Sequence, residues 1–285
     1  MARSRGVFVW TAQSPINLVI SVLLLLSCLT QGAVFGDGDP GNGIEDQRQK
    51  ATAEHLKPMG TLFCDGRLRG TAIHVRRPAD KDPTSGSIVL TAAHVLYDQK
   101  TMQPFKKCVY RPQNKRLTTI DITSLSSHRF NPKAADKLQQ AENDIVFIRL
   151  SKRLLQPTLT LTAVNKIPSA LLLIAYNSGK NDISQSADCH QFVSENFASK
   201  KLLLHDCDAN NGASGGAVLD AANGRLVGVH GGTFLVNNIT SQRDQIPRGA
   251  KADPEKLINQ ARKINARVIE TLNQFSAYPA KYFQD

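Results

Sequence analysis

Gly212-Ala213-Ser214-Gly215-Gly216-Ala217-Val218-Leu219-Asp220-Ala221-Ala222-Asn223-Gly224-Arg225-Leu226-Val227-Gly228-Val229-His230 joins a glycine-flanked serine to two short apolar runs around an Asn-Gly pair. The glycines let backbone come close to a bound carbonyl, so amide N–H groups can face an oxygen that gains negative charge. A polar loop, Asp206-Cys207-Asp208-Ala209-Asn210-Asn211, leads into the serine. The residues on its C-terminal side decide the architecture. In a strand-turn-helix elbow the nucleophilic serine opens a helix, and its acid and base come later in the chain. Here residues 217–219, the turn at 220–224 and residues 225–230 read as strand, turn, strand. His230 is the only histidine after Ser214. The elbow is excluded on this pattern, and the base is expected upstream.

At the N-terminus, Arg3 and Arg5 precede an apolar run from Ile16 to Leu26 that ends in small and polar residues, 27–33. This is the layout of a secretory signal cleaved after Gly32 or Ala33, giving a signal peptide over 1–32. The run is short for a membrane span. Leu25-Leu26-Ser27-Cys28 loosely matches a lipoprotein box, which leaves a lipid anchor at Cys28 as the alternative. Either way the chain is expected to be exported, to a periplasm or to the medium. Loss of 1–32 removes Arg3 and Arg5 and no acid, so the net charge of +11 becomes +9. Cys28 leaves as well, and Cys64, Cys108, Cys189 and Cys207 remain as an even set in an oxidising compartment. The pairing favoured is Cys64 with Cys108 and Cys189 with Cys207, one bridge in each half; their spacing is not that of a zinc site.

Residues 33–57 carry no apolar period and are expected to form a mobile leader or propeptide. From Met59 the pattern becomes one of short β-like runs, at 61–64, 70–75, 87–91, 107–110, 118–123, 145–150, 171–176, 201–205 and 225–229. Many short strands punctuated by Gly, Pro and Asn turns indicate an all-β barrel or sandwich. The C-terminal part differs. Asp253 as cap and Pro254 at the first helical position precede Leu257, Ala261, Ile264, Val268 and Leu272 on one helical face, predicting a helix and tail over 251–285. The basic excess has no nucleic-acid module or interleaved aromatics beside it. It is read as serving solubility, or attraction to acidic substrates and surfaces, and nucleic acid is not an expected partner.

The chain has seven histidines. His94 stands out because the buried-looking strand Ile88-Val89-Leu90 runs into Thr91-Ala92-Ala93-His94, where two alanines leave room around the imidazole. An aspartate fixed at a strand start can hold the right tautomer and stabilise the imidazolium. Asp144, just before Ile145-Val146-Phe147-Ile148, fits that need, and Asp121 is the weaker rival. The order is histidine, aspartate, serine.

Thr91-Ala92-Ala93-His94, Asn143-Asp144-Ile145 and Gly212-Ala213-Ser214-Gly215-Gly216, in that order and over roughly residues 58–235, resemble the chymotrypsin-like (trypsin-like) serine proteases. The resemblance implies two antiparallel six-stranded β-barrels with the active site between them. The protease domain would then cover 58–250, with a first barrel at about 58–155 and a second at about 165–250. It implies His94 as general base, Asp144 as its orienting partner and Ser214 as a nucleophile that forms an acyl-enzyme, with the N–H groups of Gly212 and Ser214 as oxyanion hole. No metal or organic cofactor is called for, and the partners are protein or peptide substrates.

Two departures narrow the branch. Ala213 stands where trypsins carry the aspartate that pairs with a new N-terminus, and Val95 comes after His94 where they carry a disulfide cysteine. Both make the chain similar to the bacterial-type branch of glutamyl endopeptidases and HtrA-like domains, although no PDZ-sized segment comes after Ala250. For specificity the residues disagree. Asp208 lies where trypsins bind Arg or Lys, whereas Val227-Gly228-Val229-His230-Gly231-Gly232 resembles the segment that places a glutamate-binding histidine. A carboxylate repels Glu and a histidine can donate to it; the His230 reading is preferred. Gly231 and Gly232 are expected to let a substrate strand pair with the enzyme. The competing function is a protease-like binding protein without activity, or one with a single partner.

Overall fold

In the computed structural model the apolar runs become strands of two closed barrels, described over residues 48–81, 85–113, 119–178, 180–193, 197, 199–235 and 257–277. In chain order the elements are β1 Arg48–Lys50, α1 Ala53–Leu56, β2 Met59–Cys64, β3 Arg67–Arg76, β4 Ser85–Thr91, a 3-10 turn Ala93–Leu96, β5 Tyr97–Asp98, β6 Gln103–Pro104, β7 Cys108–Pro112, β8 Ile120–Leu125, α2 Lys137–Glu142 and β9 Val146–Leu155. They continue with β10 Leu159–Thr160, β11 Ala170–Asn177, β12 Asp182–Phe192, β13 Leu202–His205, β14 Ala217–Asp220, β15 Leu226–Leu235, β16 Leu257–Lys263 and α3 Ala266–Ala277.

The first barrel runs β3-β2-β7-β8-β9-β4 and closes by β4 pairing with β3; β10 adds to β3 outside the ring. The second runs β12-β11-β14-β15-β16-β13 and closes by β13 pairing with β12, with β1 added outside. Each ring is therefore six antiparallel strands, which leaves no edge in the closed part. Asp65 at φ 48° and Gly66 at φ 75° form the tight turn between β2 and β3. Inside the first barrel Leu62, Val89, Tyr110, Ile148 and Leu154 are fully or nearly fully buried around the Cys64–Cys108 disulfide. The second core continues through Met59, Ile73, Leu90 and Phe147 of the first barrel to Val268, Leu272 and Phe275 of α3. The second disulfide joins Cys189 to Cys207, so both favoured pairings are present.

Three expectations are corrected. Residues 48–57 do not belong to a mobile leader: Arg48, Gln49 and Lys50 pair with Ser186, Gln185 and Ser184 of β12, and Ala51 is buried. The second barrel does not stop near 250, because β16 at 257–263 completes it between β15 and β13. The helix expected from Asp253 and Pro254 starts instead at Ala266, and Leu257 and Ala261 lie on a strand. Asp253, Pro254, the signal at 1–32 with Cys28, and residues 33–47 lie outside the described residues. Among those described, no helix is long and apolar enough to cross a membrane.

Candidate active site

His94 sits in the short 3-10 turn that leaves β4, and Asp144 lies two residues before β9. Strands β4 and β9 are antiparallel, with Thr91 opposite Val146, so the chain leaves β4 and enters β9 at the same end of the barrel. That register brings the two side chains together. His94 Nδ1 lies 2.6 Å from Asp144 Oδ2, and the His94 backbone N–H donates to Asp144 Oδ1 at 2.8 Å. Both carboxylate oxygens thus bind one residue, fixing the ring's rotation and leaving Nε2 as its outer nitrogen. Asp144 is only 4% exposed, which strengthens its interaction with the ring. Asp121 is an exposed residue of β8 opposite Val109, and it takes no part in this pair.

Ser214 is nearly buried and arrives from the second barrel in the loop before β14. Its carbonyl accepts the Thr71 N–H of β3 at 2.8 Å. A Cβ on Gly70 would lie 2.7 Å from both Ser214 O and Val95 Cγ2, which places the serine beside the residue next to His94 in the chain. The loop is held from three sides. Thr71 Oγ1 donates to Gly212 O at 2.9 Å and accepts the Tyr176 N–H at 2.9 Å. Asn177 Oδ1 accepts the Asn210 N–H at 2.8 Å, and the Gly215 N–H donates to His230 O at 2.7 Å.

Two glycines are required here by conformation and space. Gly212 has φ +93° with Tyr176 Cδ1 2.6 Å from where a Cβ would sit, and Gly215 has φ +85° with Thr71 O at 2.0 Å. The N–H groups of Gly212 and Ser214 donate to no acceptor among the described residues. These two free donors come from the serine loop itself, and among the described residues no hydrogen bond joins the Ser214 hydroxyl to the oriented His94 imidazole.

The residues assigned to specificity are all buried. Asp208 is 1% exposed, with its N–H donating to Ser186 Oγ at 2.8 Å. His230 is sealed from solvent, and its Nδ1 lies 3.3 Å from Nε2 of His205, while His230 Nε2 is buried with no partner. Burial, and to a smaller extent the nearby His94, pushes the His230 imidazole down to about 3, so the ring is neutral. Gly232 pairs with Gln260 on the β16 side, and β14 pairs with β15 only as far as Val229. From Gly231 onward the other edge of β15 has no strand partner among the described residues.

Sequence reasoning missed several contributors. Thr71 carries no motif, and its role arises only from the approach of the two barrels. His205 is visible as a histidine at a strand end, but its partner is not. Phe130 lies 6.4 Å from the His94 ring and 5.4 Å from Tyr97, whose ring meets His128 edge-on at 6.2 Å. Burial lowers the His128 imidazole, and the negative charge of Asp144 partly opposes this. Among the described residues no group of three or more His, Cys, Asp or Glu could hold a metal ion.

No curated protein matches the chain in sequence. Among solved structures it is similar in fold to a Glu endopeptidase determined in complex with MPD, at 17% identity and TM-score 0.55, with 81% of this chain and 96% of that one covered. It is also similar to neuropsin, a serine protease expressed in the limbic system of mouse brain, at 16% identity and TM-score 0.50, covering 81% and 96%. The family model for the trypsin-like peptidase domain matches residues 70–229, more than half of the chain. With two closed six-stranded barrels and that match, the chain belongs to the trypsin-like peptidase family.

Proposed function

We propose that the protein is an exported serine endopeptidase with His94, Asp144 and Ser214 as its catalytic triad. The observation that carries this reading is the pair of hydrogen bonds by which Asp144 holds the His94 backbone and ring, together with a glycine-flanked serine whose loop offers two unused N–H donors. Ser214 Oγ attacks the substrate carbonyl while His94 Nε2 takes its proton. Asp144 stabilises the resulting imidazolium, and the Gly212 and Ser214 N–H groups bind the oxyanion. His94 then protonates the leaving amine, and a water deprotonated by His94 opens the acyl-enzyme. Two disulfides support an oxidising, extracytoplasmic setting.

The test is labelling by a fluorophosphonate probe. Folded protein should label at one site, and Ser214→Ala should abolish it. Absence of labelling in well-folded, processed protein, or labelling that survives Ser214→Ala, overturns the reading.

For the residue cleaved after, the neutral His230 favours an acidic side chain. The 3.3 Å contact between His205 Nε2 and His230 Nδ1 is compatible with either tautomer; in the one where His205 Nε2 donates, the His230 proton sits on Nε2, the atom lacking an acceptor. A substrate glutamate would supply that acceptor, and the open edge of β15 beyond Val229 would pair with the substrate backbone. Profiling on a peptide library decides this: exclusive cleavage after Lys or Arg transfers the role to Asp208.

A further inference from the structure

A cleft of about 510 Å³ lies at the far end of β4 and β9, away from the triad, and the proposed reaction makes no use of it. Thr91 pairs with Val146 at the His94 end, whereas Ile88, which lines the cleft, pairs with Arg149. At a rise of about 3.3 Å per residue the two positions are about 10 Å apart along the strands. Ser276 at the end of α3 supplies another wall.

The lining carries six cations, Arg76, Arg77, Lys81, Arg149, Lys152 and Arg153, against one carboxylate, Asp80. That carboxylate is already engaged, accepting from Arg77 Nε at 3.0 Å, Arg77 Nη2 at 2.7 Å and the Arg77 N–H at 2.9 Å. Lys81 and Lys152 have no ion-pair partner among the described residues. The two arginines set deeper carry a second signal. Arg76 is fixed by Nη1 donating to Asp80 O at 2.6 Å, and Arg149 by Nη2 donating to Phe275 O at 2.8 Å. The Nε of each is nevertheless buried without an acceptor. Those two nitrogens are closed off from the cleft, and the Arg149 guanidinium lies 5.1 Å over the Phe275 ring, so both arginines are held in place as fixed cations at the cleft wall.

The chemistry of a ligand for the cleft is set by its lining. Guanidiniums and ammoniums together match the oxygens of phosphate and sulfate groups. Among the described residues no aromatic side chain lines the cleft to give a platform for stacking bases. Its concavity and volume suit a small molecule rather than a flat membrane. We propose that this cleft binds a compact polyanion bearing several phosphate or sulfate ester groups.

Titration calorimetry on the full chain at physiological ionic strength tests it, with inositol hexakisphosphate and sucrose octasulfate as probes. At least one should bind with one-to-one stoichiometry; binding of only one assigns the ligand to that ester, and binding of both assigns recognition to charge. The exposed pair Lys81→Gln/Lys152→Gln should weaken binding by about tenfold per cation removed. Arg149→Lys, which keeps the charge and loses the fixed guanidinium, should weaken it as well. Fluorophosphonate labelling should be unchanged in all variants, so failure here is distinct from failure of the peptidase reading. The proposal is overturned if neither probe binds, if the Lys81/Lys152 variant binds as tightly as the parent, or if duplex DNA or anionic vesicles outcompete both probes at this cleft.

Discussion

Thr71→Val isolates the contact by which the first barrel holds the loop of the second that is proposed to form the oxyanion hole. Thr71 is fully buried, and its hydroxyl donates to Gly212 O and accepts from the Tyr176 N–H, both at 2.9 Å. Valine keeps the volume and the β-branch but strands one carbonyl and one N–H, both partly buried. A fully buried unsatisfied group costs about 1–3 kcal/mol, so a stability loss of up to about 2–6 kcal/mol is expected for the two. The backbone bond from Thr71 N–H to Ser214 O survives, so the nucleophile keeps its anchor. The Gly212 carbonyl loses one of the two bonds that hold its peptide, the other being Ala213 N–H to Asn210 O at 3.0 Å, so the neighbouring Gly212 N–H is freer to shift; complete loss of one oxyanion donor costs on the order of 3 kcal/mol, or about a hundredfold in rate. The rate constant for fluorophosphonate inactivation should therefore fall by about tenfold to a hundredfold. Urea unfolding read beside it separates the stability effect from the chemical one. Thr71→Ser keeps the hydroxyl and should restore the rate. A Thr71→Val protein that inactivates at the parent rate, under conditions where it is fully folded, refutes the role assigned to this hydroxyl.

Three further outcomes are expected. Gly212→Val, at φ +93° and with Tyr176 Cδ1 2.6 Å from the new Cβ, should eliminate labelling while circular dichroism still shows a folded β protein; normal labelling would remove Gly212 from the oxyanion hole. Burial holds His230 down at about 3 and His205 well below its ordinary value, while both take up protons near pH 6.5 when unfolded. Stability from this pair is thus full above about pH 6.5 and falls as the pH drops below it, with a limiting slope of about 1.4 kcal/mol per pH unit from His230 down to about pH 3 and a further loss of the same sign from His205. Urea midpoints that stay level between about pH 7 and about pH 5 contradict this sign. Deleting residues 1–57 removes β1, the buried Ala51 and the bond from the Thr52 N–H to Gln185 Oε1, and should lower the melting temperature relative to deleting 1–47; equal melting points would make β1 and α1 dispensable.

Much of the first barrel was legible because its strands are apolar and bounded by clear turns. Ile88-Val89-Leu90 and Val146-Phe147-Ile148 are apolar and, apart from the partly buried Ile88, buried, and Asp65-Gly66 marks a hairpin. The second barrel was less legible because two of its strands bury polar residues. In β12, Ser184, Gln185 and Ser186 are buried, and in β16 so are Asn259, Gln260 and Arg262. Tertiary partners hold two of these side chains: Asn259 Nδ2 donates to Cys207 O at 2.8 Å, and Arg262 Nε to Glu142 O at 2.7 Å. Apolar periodicity cannot register such strands, and the spacing of Leu257, Ala261 and Ile264 then passes for a helical face. β1 was hidden for a related reason, since Arg48-Gln49-Lys50 is wholly polar and holds its place by ladder bonds to β12.

Residue identity and order determined the chemistry available to this chain: a glycine-flanked Ser214, a histidine leaving one apolar strand, an aspartate entering another, and a hairpin where an elbow would need a helix. Those are local properties, set by backbone freedom, strand propensity and side-chain type. Tertiary structure decided what no local pattern carries. The antiparallel register of β4 and β9 joins His94 to Asp144, the hydroxyl of Thr71 holds the Gly212 peptide across the barrel interface, and closure of the second ring seals His230 against His205. Each of these depends on groups far apart in the chain meeting at hydrogen-bonding distance, and only the packed barrels fix such distances.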